Sequence, residues 1–289
     1  MEANLFNLRD ELLNGLYQHG QYSPFTIHDP KERSIHKATV RDRIVHQAIV
    51  NAIELVFERR FVFDSFSCRK YKGTHAASYR LRSQLRRASG NNSKTVYALK
   101  CDIRKFFDSL DHEILLRLIL KQIQCSKTVS LLQHIVSGFN TQDGKGVPIG
   151  NLTSQLFANI YLHEFDHFIK QRLKIKWYLR YCDDFVILDT SRESLIKLIP
   201  VIKGFLQDTL KLEIHPHKIS LRTWNQGIDF VGYVHLPHCT VLRTRTRKRM
   251  IRQIRPDNIA SYMGMCQHAD TYQLQQLLLN KLSDEIAKT

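Results

Sequence analysis

Two aspartates in succession, Asp183 and Asp184, lie between two short apolar runs, IKWYLRY at 175–181 and FVILD at 185–189. Runs of that length, rich in aromatic and β-branched residues, predict a pair of strands separated by Cys182-Asp183-Asp184. A third run, TVYALKC at 95–101, predicts a strand ending at Asp102. Paired aspartates in a tight turn are ordinary turn formers, because their carboxylates accept nearby backbone N–H groups. Here the pair is hemmed in by apolar strands and a third aspartate closes another strand. A turn alone does not ask for that.

The remaining pattern supplies the connections. Ile44, Val45, Ala48, Ile49, Ile53, Val56 and Phe57 recur at helical spacing between 38 and 57. A basic, small-residue loop at 65–78 leads into a helical stretch carrying Arg80, Arg82, Arg86 and Arg87, closed by a turn at 89–93. Asp111 suits the N-cap of a helix through Ile123, and another helix starts at Ser126 and ends before Gly138. After the loop at 140–151 comes a long amphipathic helix from Thr153 to Leu173. Thr190 and Glu193 form a capping box for a helix to Leu210, bent at Pro200. Strands follow at KLEI (211–214), KISL (218–221) and GIDFVGYVH (227–235). Strand, helices, strand, turn, strand, helix, strand is the split βαββαβ arrangement, an α+β fold. It sets the end of the first strand beside the turn of the middle two, and so Asp102 beside Asp183-Asp184.

Charge narrows the partner. Among 289 residues, 43 Lys and Arg face 27 Asp and Glu, a net charge of +16, which points to a polyanion. The densest basic segment, RTRTRKRMIRQIR at 243–255, suits phosphate neutralisation. The alternation Arg243, Arg245, Arg247 predicts a strand or loop there before a helix begins. The stretch from Thr271 onward is amphipathic. Six scattered cysteines with no CxxC pair suggest neither a disulfide framework nor a zinc module. His235, His238 and Cys239 make half a metal site with no second half. The N-terminus lacks a signal-peptide pattern and no segment has the apolar length of a membrane span. A cytoplasmic protein with no membrane partner is expected. Converging carboxylates on a basic chain suit two-metal phosphoryl transfer, in which two Mg²⁺ ions about 4 Å apart hold the attacking and leaving oxygens.

Five segments carry a family resemblance. ALKCDIRKFFDSLDH (98–112) resembles the first catalytic motif of reverse transcriptases and RYCDDFVIL (180–188) matches their YxDD box. GIDFVGY (227–233) is similar to the primer-grip hairpin, and LKLEIHPHKISL (210–221) to the lysine-bearing segment before it. SFSCRKYKGTHAA (65–77) resembles the fingers segment that holds the incoming triphosphate. The match runs from Arg33 to Tyr233 in the family's order.

The resemblance implies a right-hand polymerase: fingers at 1–94, a ferredoxin-like palm at 95–235, and a short, basic, mainly helical thumb at 236–289. It implies Asp102 and Asp183 as principal metal ligands, Asp184 less directly, the Ile103 carbonyl completing one coordination sphere, and two Mg²⁺ ions with Mn²⁺ as a substitute. Phe107 matches the steric gate that excludes a 2′-hydroxyl, with either Phe106 or Phe107 being plain core. Arg69 and Lys72 are candidates for the β- and γ-phosphates, the choice among Arg69, Lys70 and Lys72 staying open. Lys218 matches a lysine that protonates pyrophosphate. Arg243, Arg245, Arg247, Lys248, Arg249 and Arg252 fall where the thumb meets the duplex.

PIGNLTSQ (148–155) separates the subfamilies. Many reverse transcriptases have Gln-Gly, three residues, then Ser-Pro; this chain has Ile149-Gly150, three residues, then Ser154-Gln155. Ile149 replaces an amide near the nucleotide sugar, Gly150 admits close backbone approach, and Gln155 completes the motif. The IGxxxSQ form resembles the enzymes of diversity-generating retroelements, which misincorporate opposite template adenines. That implies an RNA template, a DNA or RNA primer, dNTP substrates, a small basic helical-bundle accessory protein and a structured retroelement RNA, in a bacterial or phage-infected cell. The 56 residues after Tyr233 are too few for the maturase and endonuclease segments of many group II intron proteins. A retron-like or abortive-infection enzyme, an RNA-dependent RNA polymerase and a catalytically silent RNA-binding protein are the rival readings.

Overall fold

The computed structural model describes residues 2–28 and 32–286. Helix α1 (Glu2–Asn14) leads to a hairpin of β1 (Ser23–Ile27) and β2 (Arg33–Lys37), paired from Ser23↔Lys37 to Ile27↔Arg33. No strand was expected there, since the apolar and polar residues of 23–37 do not alternate cleanly. Thr39 caps α2 (Val40–Glu58) by accepting from the Asp42 N–H, and the buried face of α2 is Val45, Ile49, Val50, Ile53 and Phe57. The expected basic helix is α3 (Thr74–Ala88).

The next elements build the central sheet. They are β3 (Tyr97–Asp102), the single-turn α4 (Phe106–Ser109), α5 (His112–Leu120), α6 (Ser126–Ser137) and α7 (Leu152–His167). Then come β4 (Tyr178–Tyr181), β5 (Asp184–Asp189), α8 (Arg192–Leu210) and β6 (Ser220–Thr223). Asp111 caps α5 by accepting from the Ile114 N–H at 3.0 Å. The helix begun by α7 ends in a π-helical turn, Phe168–Arg172, where Phe168 stacks on Phe205 with ring centroids 4.0 Å apart. All strand pairs are antiparallel and the order is β4-β5-β3-β6, the βαββαβ arrangement expected.

Strand periodicity divides the burial between two faces. Leu99, Cys101, Phe185 and Ile187 join Leu115, Phe165, Leu206 and other residues of the helical layer. Ala98, Leu179, Val186 and Leu188 pack instead with Leu81 and Leu85 of α3. A fully buried Leu, Ile or Phe contributes about 1.5–3 kcal/mol, so both faces hold the sheet.

Four local expectations are corrected. Ser191, rather than Thr190 with Glu193, caps α8, because Asp189 Oδ1 takes the Ser191 N–H and Ser191 Oγ takes that of Ser194. KLEI is not a strand: Lys211 closes α8 with φ +53°, and Ile214 alone bridges to Ile103. KISL starts late, at Ser220, because Pro216–Lys218 forms a 3₁₀ turn. GIDFVGYVH folds into two strands, β7 (Ile228–Phe230) and β8 (Tyr233–His235), turning at Val231 and Gly232 with φ of +45° and +97°.

Strand β9 (Thr240–Leu242) completes a second sheet, β7-β8-β9. Arg245 and Arg247 lie within α9 (Thr244–Gln253), not in a strand, with Arg243 just before it. That correction follows from Met250, which α9 buries against α10 (Ile259–Cys266) and α11 (Tyr272–Ile286) through Cys266, Leu274 and Leu278. Tyr233 and Leu242 join this core from the second sheet. His235 is buried between Ser78 Oγ and Thr240 Oγ1, each at 3.4 Å, and burial pushes it down to about 4. It serves there as a neutral packing group. Among the described residues no helix is long and apolar enough to cross a membrane.

Candidate active site

Register brings the aspartates together. Asp102, the last residue of β3, faces Asp184, the first of β5, across the antiparallel pair. Tyr181 pairs with Asp184 across the turn, Cys182 takes φ +55° inside it, and the Ile103 N–H donates to the Asp183 carbonyl at 3.2 Å.

Beneath the turn lies a sealed ion pair. Arg180, fully buried, donates to Asp166 Oδ1 at 2.7 Å and Oδ2 at 2.6 Å, to Ser65 Oγ at 3.0 Å, and to the Cys182 carbonyl at 3.0 Å. Tyr178 adds a 2.6 Å bond to Asp166 Oδ1. A buried charge is tolerated only when paired and fully hydrogen-bonded. The same guanidinium therefore neutralises Asp166 and anchors the turn that carries Asp183. In sequence, its trace is an arginine inside an apolar strand run.

The carboxylates strain against one another. Burial, then the negative charges of Asp102 and Asp184, push Asp183 up to about 6. Burial also raises Asp184, opposed by Lys100, whose Nζ lies 3.6 Å from Asp184 Oδ2. Lys218 Nζ donates to Asp102 Oδ1 at 2.7 Å. Lys100, Asp102, Asp184, Lys218, Arg222 and Arg243 line a cleft of about 380 Å³. Arg243 also pairs with Asp229. Lys100 was not anticipated; its only signal is its place two residues before Asp102 on the same face of β3.

Residues 28–235 match the family model described as "Reverse transcriptase (RNA-dependent DNA polymerase)". The chain belongs to the reverse transcriptase family.

Its relatives agree. The chain is 27% identical to Protein YkfC of Escherichia coli (strain K12), over 86% of this chain and 73% of that protein. It is 25% identical to the group II intron-encoded protein LtrA of Lactococcus lactis subsp. cremoris, over 70% of this chain and 44% of LtrA. The chain thus spans less than half of that intron protein. Among solved structures, apo telomerase from Candida tropicalis, truncated from its C-terminal domain, superposes with a TM-score of 0.55 at 14% identity. That match covers 83% of this chain and 60% of telomerase, a likeness of fold.

Reverse transcriptases generally use divalent metal ions, and the donor set here suits them. No three His, Cys, Asp or Glu groups among the described residues form a ready cage. Mg²⁺ does not require one, since it is held by one or two carboxylates together with waters and substrate phosphates. The raised Asp183 carboxyl reflects its burial first and then the neighbouring negative charges of Asp102 and Asp184.

The other expected site residues are placed as follows. Phe106 is core, whereas Phe107 is half-buried and packs against that core, their rings 5.4 Å apart. Ile149 is half-buried and Gly150 exposed on the loop before α7, and Gln155 is exposed on the first turn of α7. The Arg69 guanidinium is bonded to Glu58 at the end of α2 at 2.6–3.1 Å and to the Val62 and Ser65 carbonyls at 2.7 Å. Lys70 pairs with Glu54 at 3.2 Å. Lys72 donates to the Phe63 carbonyl at 2.8 Å and lies 3.5 Å from the centroid of the Phe63 ring. Arg245, Lys248, Arg249 and Arg252 line a larger cleft of about 1220 Å³ beside α9, with His28 of the hairpin loop among its walls. Arg247 is exposed on the same helix.

Proposed function

We propose that the chain copies an RNA template into DNA with two Mg²⁺ ions, as a right-hand polymerase with fingers at 1–94, palm at 95–235 and thumb at 236–289. The observation that carries the reading is the Asp102–Asp184 register beside the raised Asp183 carboxyl. Asp102, Asp183 and the Ile103 carbonyl would hold the metals, with Asp184 steadied by Lys100. When bound, the ions supply positive charge to the attacking and leaving oxygens. The chain's own residues do the rest. Phe107 packs beneath the sugar and leaves no room for a 2′-hydroxyl. Lys218, beside Asp102, offers a proton to the departing pyrophosphate. The exposed cations of α9 hold the template–primer duplex through its phosphates.

Primer extension on an RNA template tests this, with Asp183→Ala as control. Wild type extends with dNTPs and Asp183→Ala does not; equal extension by both removes the assignment. Phe107→Ala should admit ribonucleotides, and unchanged sugar discrimination would remove its gating role.

The narrower reading is an error-prone enzyme of a diversity-generating retroelement, working in the cytoplasm with a small basic helical-bundle protein and a structured RNA. Ile149 in place of an amide, followed by Gly150 and Ser154-Gln155, supports it. A second reading, a polymerase of group II intron type, draws support from the 25% identity to LtrA. The error spectrum of the cDNA separates them: misincorporation concentrated at template adenines supports the first, and an even spectrum the second.

A further inference from the structure

We infer that the β1–β2 hairpin sets nucleotide selection, and that Asn151 and Ile35 are the positioning residues through which it does so. The inference rests on the polymerase reading of the loop at 148–155.

A two-stranded hairpin of five-residue strands is marginal by itself, and every residue of β1 is exposed. Its tie to the body runs through β2. The His36 N–H donates to the Ile149 carbonyl at 3.1 Å, and the His36 carbonyl accepts from Asn151 Nδ2 at 2.8 Å. One backbone unit of the hairpin thus grips the loop on both sides of Gly150. The His36 ring packs edge-on against Phe139, with centroids 4.7 Å apart, and Phe139 packs against Tyr22 at 5.6 Å, which braces the base of the hairpin.

Asn151 stands at the N-cap of α7, where an asparagine side chain ordinarily accepts from the first helical N–H groups. It makes no such cap and reaches back to the hairpin instead, buried at 3% exposure. Gly150 shows the same closeness. Its φ is +104°, and a Cβ there would lie 2.7 Å from Ile35 Cγ2. Ile35 therefore closes off the Cβ side of the otherwise exposed Gly150, and the path of the loop through Ile149 follows β2. Moving the hairpin moves the group that stands where other reverse transcriptases carry an amide near the sugar.

Asn151→Ser separates this role from plain folding. Serine caps a helix as well as asparagine does and carries no charge, but it is too short to reach the His36 carbonyl. Single-nucleotide incorporation by the full chain, with each dNTP opposite each template base, is the assay, beside melting temperature and hydrogen exchange at 149–151. Asn151→Ser and Ile35→Ala should raise KM for the paired dNTP roughly 3- to 10-fold, the scale of one lost hydrogen bond. They should shift the ratio of mispaired to paired incorporation and speed exchange at 149–151, with kcat and melting temperature little changed. Ile35→Val should restore wild-type selection. Unchanged KM, ratio and exchange would overturn the inference, as would a loss of kcat that merely tracks a lowered melting temperature. Wild type that extends no primer at all would sink the polymerase reading instead, and the exchange measurement would still report on the grip itself.

Discussion

The guanidinium of Arg180 lies sealed beneath the aspartate turn, bidentate on Asp166, whereas Arg252 stands exposed on α9 along a cleft with other cations. One residue type serves opposite ends. In the first place water is excluded, so a charge must be matched atom by atom, and the reward is a turn held in one geometry. In the second, if α9 meets phosphates as proposed, position would matter less than density, because each cation would act through solvent and be screened by salt. The contrast between a fixed guanidinium beneath the turn and a solvated one on α9 comes from burial, not from residue identity.

The largest effect should appear when the buried pair is broken on one side. Arg180→Met leaves Asp166 uncompensated and should cost about 3–5 kcal/mol in denaturant unfolding. Adding Asp166→Leu should recover part of that loss, since the two ions go together while the buried Tyr178 hydroxyl loses its acceptor. A double variant no more stable than the single would show that the pair is not what the turn rests on.

A smaller effect concerns Asp183. Its carboxyl in the fold sits at about 6, above the ordinary 3.8, so folding favours the protonated form. The stability tied to that proton is complete below about pH 4 and is lost as pH rises through 6. Metal-free Asp183→Asn should therefore match wild type below about pH 4 and exceed it by on the order of 3 kcal/mol at pH 8. Urea titrations at the two pH values measure the gap. A gap that does not widen with pH would place the strain elsewhere.

The smallest effect on stability belongs to α9. Lys248→Ala or Arg252→Ala should leave unfolding within about 0.5 kcal/mol. Each should lower the slope of log affinity for a template–primer duplex against log salt by about 1. An unchanged slope would mean that α9 does not meet phosphates, and the contrast with Arg180 would lose one of its halves.

Much of the central sheet was legible in the chain. Largely unbroken apolar runs at 95–101 and 185–189 had to be buried on two faces, and their order left one economical way to pair them. Asp102 opposite Asp184 follows from that register. Helix ends with a local side-chain signature, such as Asp111 before α5, were legible for the same reason. The β1–β2 hairpin was not, because its strands are mostly exposed and carry no burial pattern to read.

Sequence by itself determined the succession of elements, since that depends on periodicity and on neighbours a few residues apart, and the split βαββαβ order then set the aspartates side by side. Tertiary structure alone decided which partner each polar side chain takes. Arg69 turned inward to Glu58, Lys100 to Asp184, and Asn151 left a helix cap for a carbonyl 115 positions away. A side chain with several donors binds whichever acceptor the folded chain brings within about 3 Å, and that distance is written only in the packing of segments remote from one another.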